Sequence, residues 1–387
     1  MSARVDLSLL PEIKRYGAVN PEACFNCGNC TAICSLADGD HPFPRNGIRL
    51  LQLGLRDRLL RSVDPWLCYY CGECSQTCPK GAEPAETMMA LRRWLTAQYD
   101  RSGHAAKMYT SERATWGAIL RVALSTLALL VLYHVVTGFE HIVTDRVALN
   151  DFAPALLVWA LVVLHFGWLG YRLLQNTIRM FQLVMGPELE RFKIPLPTYL
   201  TEFKEFVLHY FTQKRWRDCD RQDRSRWLKH ILLVSGYLTM LLLVVGLLWW
   251  FQTDAIYPLY HPQRWLGYYA TIVLLYTSAE VLIDRWRKRE QLHRFSHPTD
   301  WLFPSFILVG AITGILVHIF RYVGWPWPTY GMYGVHVMAM VAMLDTEVGI
   351  GKWTHMIYRP MAMYLESLKH KASELKLSPD LVPAGAD

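Results

Sequence analysis

Eight cysteines near the start of the chain have a spacing that can hold iron–sulfur clusters. They repeat the pattern C-x2-C-x2-C-x3-C, at Cys24, Cys27, Cys30 and Cys34 and again at Cys68, Cys71, Cys74 and Cys78. Three closely spaced thiolates can hold three irons of one 4Fe-4S cubane, whereas the fourth cysteine of each run points away and ligates the other cluster. By that rule we predict one cluster on Cys24, Cys27, Cys30 and Cys78, and a second on Cys68, Cys71, Cys74 and Cys34.

A four-cysteine zinc site is the main alternative for paired C-x2-C motifs. Zinc takes four ligands per ion, which explains neither the third cysteine of each run nor the repetition of the whole pattern. The N-terminal sequence MSARVDLSLLPEIKRYG has no apolar stretch followed by a small-residue cleavage site, so we expect this region to stay in a reducing compartment. Clustered thiols are therefore expected to bind metal and not to form disulfides.

The charge and the apolar content of the chain indicate a membrane protein. Its 387 residues carry a formal net charge of +7, and 52% of them are hydrophobic. A basic balance can indicate nucleic-acid binding, but the basic residues lie mostly in loops between apolar segments, which is a feature of membrane topology. We therefore expect a lipid membrane, and no nucleic acid, as the partner of these residues.

Six apolar segments follow the cysteine-rich head. Each approaches the roughly 20 residues that a helix needs to cross about 30 Å of hydrocarbon. Their predicted spans are 116–137, 153–174, 231–251, 265–283, 303–323 and 330–350. Helical patterns over 48–63 and 85–99 complete an all-α prediction: an α-helical two-cluster ferredoxin domain plus a six-helix transmembrane bundle.

Lysine and arginine are dense in the loops between the second and third segments and between the fourth and fifth. By the positive-inside rule these loops, the head and the C-terminus face the cytoplasm. We expect a multi-pass protein of the cytoplasmic membrane. Its predicted parts are a cytoplasmic head at 1–105, a membrane domain at 106–365 with a cytoplasmic insertion at about 176–228, and a cytoplasmic tail at 366–387.

Several histidines lie in or beside the membrane segments, where ionisable side chains are costly and indicate function. His230 opens the third segment and His355 follows the sixth, both on the head side, whereas His134, His318 and His336 fall toward the outer side. Two opposed imidazoles from neighbouring helices are what a six-coordinate b-type haem requires. For each histidine the alternative is a hydrogen bond between helices.

Three acidic residues, Glu280, Asp345 and Glu347, lie within the fourth and sixth segments. They can relay protons to a quinone, or they can pair with Lys352 and the nearby arginines. The sequence favours neither interpretation.

These motifs resemble two related families. The head resembles the C subunit of heterodisulfide reductase, and the membrane half resembles the haem b subunits of that enzyme (its E subunit) and of nitrate reductase (its gamma subunit). In that family one helix opens with a haem histidine, similar to His230 here, and a late helix carries two more, similar to His336 and His355. The resemblance implies His230 and His355 as ligands of an inner haem b, and His336 as one ligand of an outer haem.

The chain departs from that family at Met240, where the family has a second histidine ten residues after the first. The other ligand of the outer haem must then be His134 or His318, or that haem is absent. His336 and His355 are 19 residues apart, about 100° out of phase on an ideal helix. Two glycines between them can absorb this offset.

The fusion of such a head to such a membrane domain is similar to the membrane subunits of quinone-interacting membrane-bound oxidoreductase (Qmo) complexes, notably over 66–95 and 145–154. This resemblance implies flavin- and iron–sulfur-containing, heterodisulfide reductase A-like partner subunits. It also implies electron exchange between a quinone (menaquinone or ubiquinone) and adenylylsulfate reductase in dissimilatory sulfur metabolism. Two alternatives stay open: a heterodisulfide reductase-type protein that uses methanophenazine, and a non-conducting membrane anchor.

Overall fold

A computed structural model describes residues 4–37, 41–191, 194–219 and 224–377 of the chain. Within these ranges every regular element is a helix and no strand occurs. The predicted all-α fold, with a helical ferredoxin-type head followed by a membrane bundle, is confirmed.

The head consists of short helices around one longer helix, α7. Its α-helices are α1 (Leu9–Arg15), α2 (Asn29–Ile33), α3 (Arg45–Gln52), α4 (Arg56–Leu60), α5 (Asp64–Leu67), α6 (Glu73–Gln76), α7 (Pro84–Tyr99) and α8 (His104–Thr110). Proline at the first position of α7 and good helix formers behind it favour this helix. Almost every residue of α7 is buried, because α1, α3, α5, α6 and α8 all pack on it.

The single helix predicted over 48–63 is wrong, because Gly54 divides it into α3 and α4. Gly54 has φ of +65°, and a Cβ atom there would lie 2.5 Å from the carbonyl oxygen of Asp6. The amide of Gly54 bonds to the carbonyl of Leu51 and that of Leu55 to the carbonyl of Leu50, which is the Schellman pattern of a helix C-terminus. The turn lets α4 fold back beside the N-terminus.

The membrane half begins immediately after α8. Its α-helices are α9 (Glu112–Thr137), α10 (Leu149–Phe152), α11 (Ala155–Arg191), α12 (Leu196–Thr212), α13 (Lys214–Cys219), α14 (Ser225–Leu241), α15 (Leu248–Phe251), α16 (Pro262–Trp286), α17 (Thr299–Val323), α18 (Pro326–Glu347) and α19 (His355–Leu377). Neighbours pack in the order α9, α18, α17, α16, α14, while α11 and α12 pack on α19. A π-helical turn, Leu242–Gly246, continues α14.

Five helical stretches are long and apolar enough to cross a membrane, and a bent pair supplies a sixth. The five are Glu112–Thr137, Ala155–Gly186, Ser225–Gly246, Pro262–Trp286 and Thr299–Val323. Large apolar side chains cover their outer surfaces, as a lipid environment requires. The chain is therefore a multi-pass membrane protein.

The sixth predicted segment, 330–350, is not one continuous helix. It is a pair of helices, Pro326–Glu347 and Lys352–Glu374, that bend by 61° at a short break. Gly349 in the break has φ of +86°, and a Cβ on Gly351 would lie 2.5 Å from Oε2 of Glu347. The same carboxylate accepts the backbone N–H of Lys352 at 2.7 Å, which caps the restarted helix. The bend aims the start of α19 toward α14.

The head and the bundle share a hydrophobic core. Tyr358 of α19 is fully buried and makes edge contacts with Trp66 and Tyr99 of the head, at 5.1 and 5.4 Å between ring centroids. Leu365 and Leu368 lie in the same core, so α19 runs on past the domain boundary predicted at 365/366. Because this interface is a packed core, the head has a fixed position on the bundle.

Candidate redox centres

The four thiols predicted for the second cluster surround one cavity in the head. Cys34, Cys68, Cys71 and Cys74 all line it. Cys34 belongs to the first run, and α2, which precedes it, packs on α6 of the second run. The fold therefore brings the last cysteine of one motif to the first three of the other. Ligation of a cluster by this set stays a prediction.

The two cysteine runs have the same local backbone structure. Gly28 and Gly72 precede α2 and α6 with φ of +91° and +89°, a conformation that favours glycine. In the first run Cys27 is exposed whereas Cys30 is buried. Lys80, which follows the second run, lies 5.7 Å from the ring of Phe25 in the first. The end of the second run thus lies beside the start of the first, where Cys78 is predicted to complete the other cluster.

Burial favours the protonated form of Cys34 and Cys74 when no metal is bound. It raises the pKa of Cys34 to about 12, with the neighbouring Cys68 and Cys71 adding to the shift. Burial also raises the pKa of Cys74 well above its ordinary value. A metal binds thiolate, so filling of this cavity must release protons and become more favourable as the pH rises.

Two arginines hold the backbone beside the second cluster set. Arg92 of α7 and Arg359 of α19 both donate hydrogen bonds to the carbonyl oxygen of Cys68, the latter at 3.1 Å. Arg92 also bonds to the carbonyl oxygen of Pro65. Both guanidinium groups place positive charge next to thiolates, which favours the ligating form of the cysteines.

At the head end of the bundle, His230 of α14 faces His355 of α19. Their ring centroids are 6.0 Å apart. Nδ1 of His230 lies 2.8 Å from Oε1 of Gln213, and Nδ1 of His355 lies 2.5 Å from the carbonyl oxygen of Lys352. Since these acceptors engage each Nδ1–H, each ring can present Nε2 as a ligand, the arrangement seen for metal-binding histidines.

A series of ring contacts joins the histidine pair to the second cysteine run. Tyr69, next to Cys68, stacks on Trp216 of α13 at 5.8 Å, and Trp216 meets His230 edge-on at 4.8 Å. The guanidinium of Arg359 lies 4.4 Å from the ring of Tyr69. The two candidate redox centres are therefore separated by two aromatic side chains.

Comparison with known proteins identifies the chemistry of the head. Residues 23–83 match the model of the 4Fe-4S dicluster domain family. The head is an iron–sulfur domain. Over 88 residues the chain is 41% identical to a protein of Archaeoglobus profundus that is described as like the C subunit of heterodisulfide reductase, a match that covers 22% of this chain and 47% of that protein. The chain thus spans about half the length of this curated relative. No solved structure matches this chain.

The chain therefore joins an iron–sulfur head to apolar helices that are long enough to cross a membrane. In the family model the matched region includes both cysteine runs and ends five residues after Cys78. The resemblance of the head to the C subunit of heterodisulfide reductase is therefore supported.

The three histidines predicted for the outer haem do not face one another in the described part of the chain. Each has a different hydrogen-bond partner: His134 contacts His141 at 3.0 Å, His318 contacts Tyr268 at 2.9 Å, and His336 contacts Thr313 at 2.9 Å. The alternative of a hydrogen bond between helices describes His318 and His336, whereas His134 bonds to the turn that follows its own helix.

Met340 fills space on the His336 side of α18. Met340, one turn along α18, packs so closely on Gly310 of α17 that a Cβ there would lie 2.5 Å from it. Met240 stands where the related family has a histidine. Like Met340, it packs against an apolar cluster that includes Leu274 and Ile307. The residues present on the outer side therefore do not fit a second haem held by two histidines.

The three acidic residues in the membrane segments each have a protein partner. Glu280 forms an ion pair with Lys229, and Asp345 lies 3.8 Å from Nε2 of His165. Glu347 accepts backbone N–H groups at the start of α19. The contacts of Glu280 and Glu347 are therefore structural. Asp345 instead lies beside the imidazole of His165, which is itself titratable.

A buried ionic network fixes the iron–sulfur head on the bundle. Asp300, at the start of α17, contacts Nη2 of Arg93 in the head at 2.8 Å and Nζ of Lys352 at 2.9 Å. The side chains of Asp300 and Arg93 are only 3% and 4% exposed. Arg93 also donates to the carbonyl oxygen of Tyr16 at 2.9 Å. Carboxylate and cations are thus paired where the two domains meet.

We expect Asp300→Ala to destabilise the protein by about 3–5 kcal/mol, since it leaves the buried guanidinium of Arg93 and the partly buried ammonium of Lys352 without this counter-charge. Thermal unfolding of the purified protein, followed through loss of iron–sulfur absorbance, measures this. Glu112→Ala, at an exposed position, is the control and should change little. Equal melting of the Asp300 variant and the wild type would show that the network does not stabilise the junction.

Glu86 of α7 gives the head a pH-dependent stability. Burial raises its pKa from 4.5 to about 7, against the opposing hydrogen bond from Tyr70. Since the folded state binds the proton more tightly than the unfolded state, stability is greatest below pH 4.5 and falls as the pH rises toward 7. Glu86→Gln abolishes this loss, so its melting temperature should exceed that of the wild type increasingly between pH 5 and 8. A pH-independent difference would contradict this.

Sequence reasoning missed the residues that surround the histidine pair. Gln213 and Trp216 lie in the insertion between the second and third segments, far from any recognised motif. Gln213 adopts the left-handed conformation, with φ of +49°, at the end of α12, and this turn directs α13 back to the bundle. No local pattern in the sequence links Gln213 or Trp216 to His230, so the sequence carried no signal for them.

Proposed function

We propose that the protein is the membrane electron-transfer component of a quinone-linked oxidoreductase, with a single b-type haem between His230 and His355 and two 4Fe-4S clusters in the head. The observation that supports this is the series of contacts Cys68–Tyr69–Trp216–His230, which joins the two candidate centres. A membrane anchor that transfers no electrons would not require this series of contacts.

The junction fits a haem in three respects. Two imidazoles oppose each other from different helices, each Nδ1 is held by an acceptor, and the ring of Trp216 packs edge-on against His230. When bound, haem and clusters supply one-electron redox chemistry. The protein's own part is placement: α14 and α19 hold the imidazoles, Gln213 orients one of them, and Arg92 and Arg359 stabilise thiolate charge.

The finer identity rests on the resemblance of the fused head and bundle to Qmo membrane proteins. We propose the C subunit of a quinone-interacting membrane-bound oxidoreductase complex, with the head and C-terminus in the cytoplasm. Its soluble partners are then flavin-containing, heterodisulfide reductase A-like subunits, and electrons exchange between menaquinone or ubiquinone and adenylylsulfate reductase. Cys27 is exposed, which supports an approach of such a partner from the side of the first cysteine run.

Haem content and quinol reactivity test this function. The purified protein should give a b-type spectrum, with one haem per chain in a pyridine haemochrome assay, and addition of a quinol analogue should reduce it. Haem that is present but unchanged by quinol would contradict the quinone link. Absence of haem from intact, iron-loaded protein would contradict the haem proposal itself.

We expect Trp216→Leu to slow quinol-driven reduction of the clusters on the order of tenfold, which corresponds to about 1.4 kcal/mol of activation free energy. The substitution removes the ring between Tyr69 and His230 while it keeps an apolar side chain. Stopped-flow absorbance measures the rate, and Trp216→Phe should restore most of it. Trp168→Leu, on the exposed face of α11, is the control. An unchanged rate in the Trp216→Leu protein would exclude this route.

A further inference from the structure

A second cavity lies where the iron–sulfur head meets the edge of the bundle. It measures about 230 Å³ and is bounded by α8, the start of α9 and the start of α17. Trp116 and Leu302 contribute apolar walls, and Tyr109, Ser111 and His297 contribute polar ones. Such a combination of apolar walls and a few polar groups is typical of small-molecule sites.

The cavity has access to lipid on one side. Trp116, in its wall, is 61% exposed on the outer surface of α9. The helices α9 and α17, which flank the cavity, both pack on α18. An apolar tail can leave the cavity past Trp116 into the lipid while an attached ring occupies the cavity.

Hydrogen bonds link the cavity wall to the histidine pair. The backbone N–H of His297 donates to Asp300 at 3.2 Å, and Asp300 pairs with Nζ of Lys352 at 2.9 Å. The carbonyl oxygen of Lys352 in turn contacts Nδ1 of His355 at 2.5 Å. Two residues therefore separate the cavity wall from a proposed haem ligand.

We propose that this cavity binds the headgroup of the quinone, with its apolar tail leaving past Trp116 into the lipid. The proposal rests on the quinone-linked function above and adds the place of binding, on the head side of the membrane. A neutral ring with two polar oxygens suits walls that combine aromatic, hydroxyl and imidazole groups. The ring lies in the cavity next to the network that reaches His355.

The charges of the cavity favour a neutral ligand over a phospholipid headgroup. Arg15 lies in the wall, but the carboxylate of Glu112 lies there too and opposes an anion. Burial, together with the guanidinium of Arg93, lowers the pKa of His297 to about 4, so its ring adds no positive charge at neutral pH. Its Nδ1 lies 2.8 Å from Oγ1 of Thr299, which fixes the ring in the wall.

Filling the cavity tests the proposal. Ser111→Trp and Leu302→Trp introduce an indole from opposite walls, and Leu120→Trp adds the same group at a lipid-facing position of α9 outside the cavity. The probe is the fluorescent quinol analogue 2-heptyl-4-hydroxyquinoline N-oxide, titrated into the full-length protein in detergent. Both filling variants should raise its dissociation constant by at least about tenfold, whereas Leu120→Trp should not.

Iron and haem contents, measured on each variant, identify a filling variant that has failed to fold, and the other one then decides. Wild-type affinity in a folded filling variant would overturn the proposal while quinol reduction of the wild type still upheld the general function. Phospholipid that copurifies with the wild type and is lost from the filling variants, with the analogue still bound tightly, would assign the cavity to lipid and also overturn it. Wild type that binds no analogue and is not reduced by quinol would instead overturn the proposed function.

Discussion

His355→Ala should yield a protein that folds and keeps its iron–sulfur clusters but loses its haem. The imidazole is one of two proposed axial ligands, and alanine leaves a hollow with no side-chain donor in its place. Loss of even an outer-shell partner typically costs roughly 10- to 100-fold in metal affinity, so loss of a ligand should cost at least as much. The effect is measured as haem per chain in a pyridine haemochrome assay, together with the content of non-haem iron per chain.

Two further variants make this result specific. His318→Ala removes a membrane histidine that bonds to Tyr268 on another part of the bundle, and it should keep full haem content. Gln213→Leu leaves both imidazoles in place but removes the acceptor of Nδ1 on His230, so haem should be retained and bound more weakly. Normal haem in the His355→Ala protein, with loss in His318→Ala, would move the site to the outer side.

Cys34→Ala is expected to remove the cluster of the second cysteine run and to spare the cluster of its own run. The structure places Cys34 in the cavity of Cys68, Cys71 and Cys74, although these residues are more than 30 positions away. With three thiolates remaining, a four-iron cluster there becomes labile or loses one iron. Electron paramagnetic resonance of the reduced protein, with iron per chain, distinguishes one cluster from two.

The matched variant for this experiment is Cys78→Ala, which should damage the other cluster. Loss of both clusters should therefore follow only when both substitutions are combined. If Cys34→Ala instead removed the signal that Cys24→Ala removes, each run would hold its own cluster and the crossing of the fourth cysteines would be wrong. Zinc with no iron in the wild type would exclude both arrangements.

The sequence was sufficient for features that repeat or extend over many residues. Two identical cysteine runs identified the iron–sulfur head, because the spacing itself reflects the shape of a cubane. Apolar stretches identified the membrane helices, since hydrocarbon thickness dictates their length. The resemblance to a haem-binding family paired His230 with His355, and the bend after α18 brings their rings to 6.0 Å between centroids.

The remaining features depend on contacts between distant segments. The prediction of a single helix over 48–63 was wrong because Gly54 lies against the backbone of Asp6. No local sequence pattern reveals this contact. Gln213 and Trp216 lie in an insertion whose relation to α14 becomes visible only when α12 packs on α19. The outer histidines looked equivalent along the chain, but their helices place them against different hydroxyl and imidazole groups.

Rapid mixing of a soluble quinol, as the electron donor, with the oxidised, full-length protein tests the central claim most directly. Haem and iron–sulfur absorbance are followed in the same anaerobic experiment. We predict that quinol reduces the b haem first and that the clusters follow, with both phases lost in His230→Ala protein. Reduction of the clusters at wild-type rate in that variant, or no reduction of either centre in the wild type, would contradict a path from quinone through the histidine pair to the head.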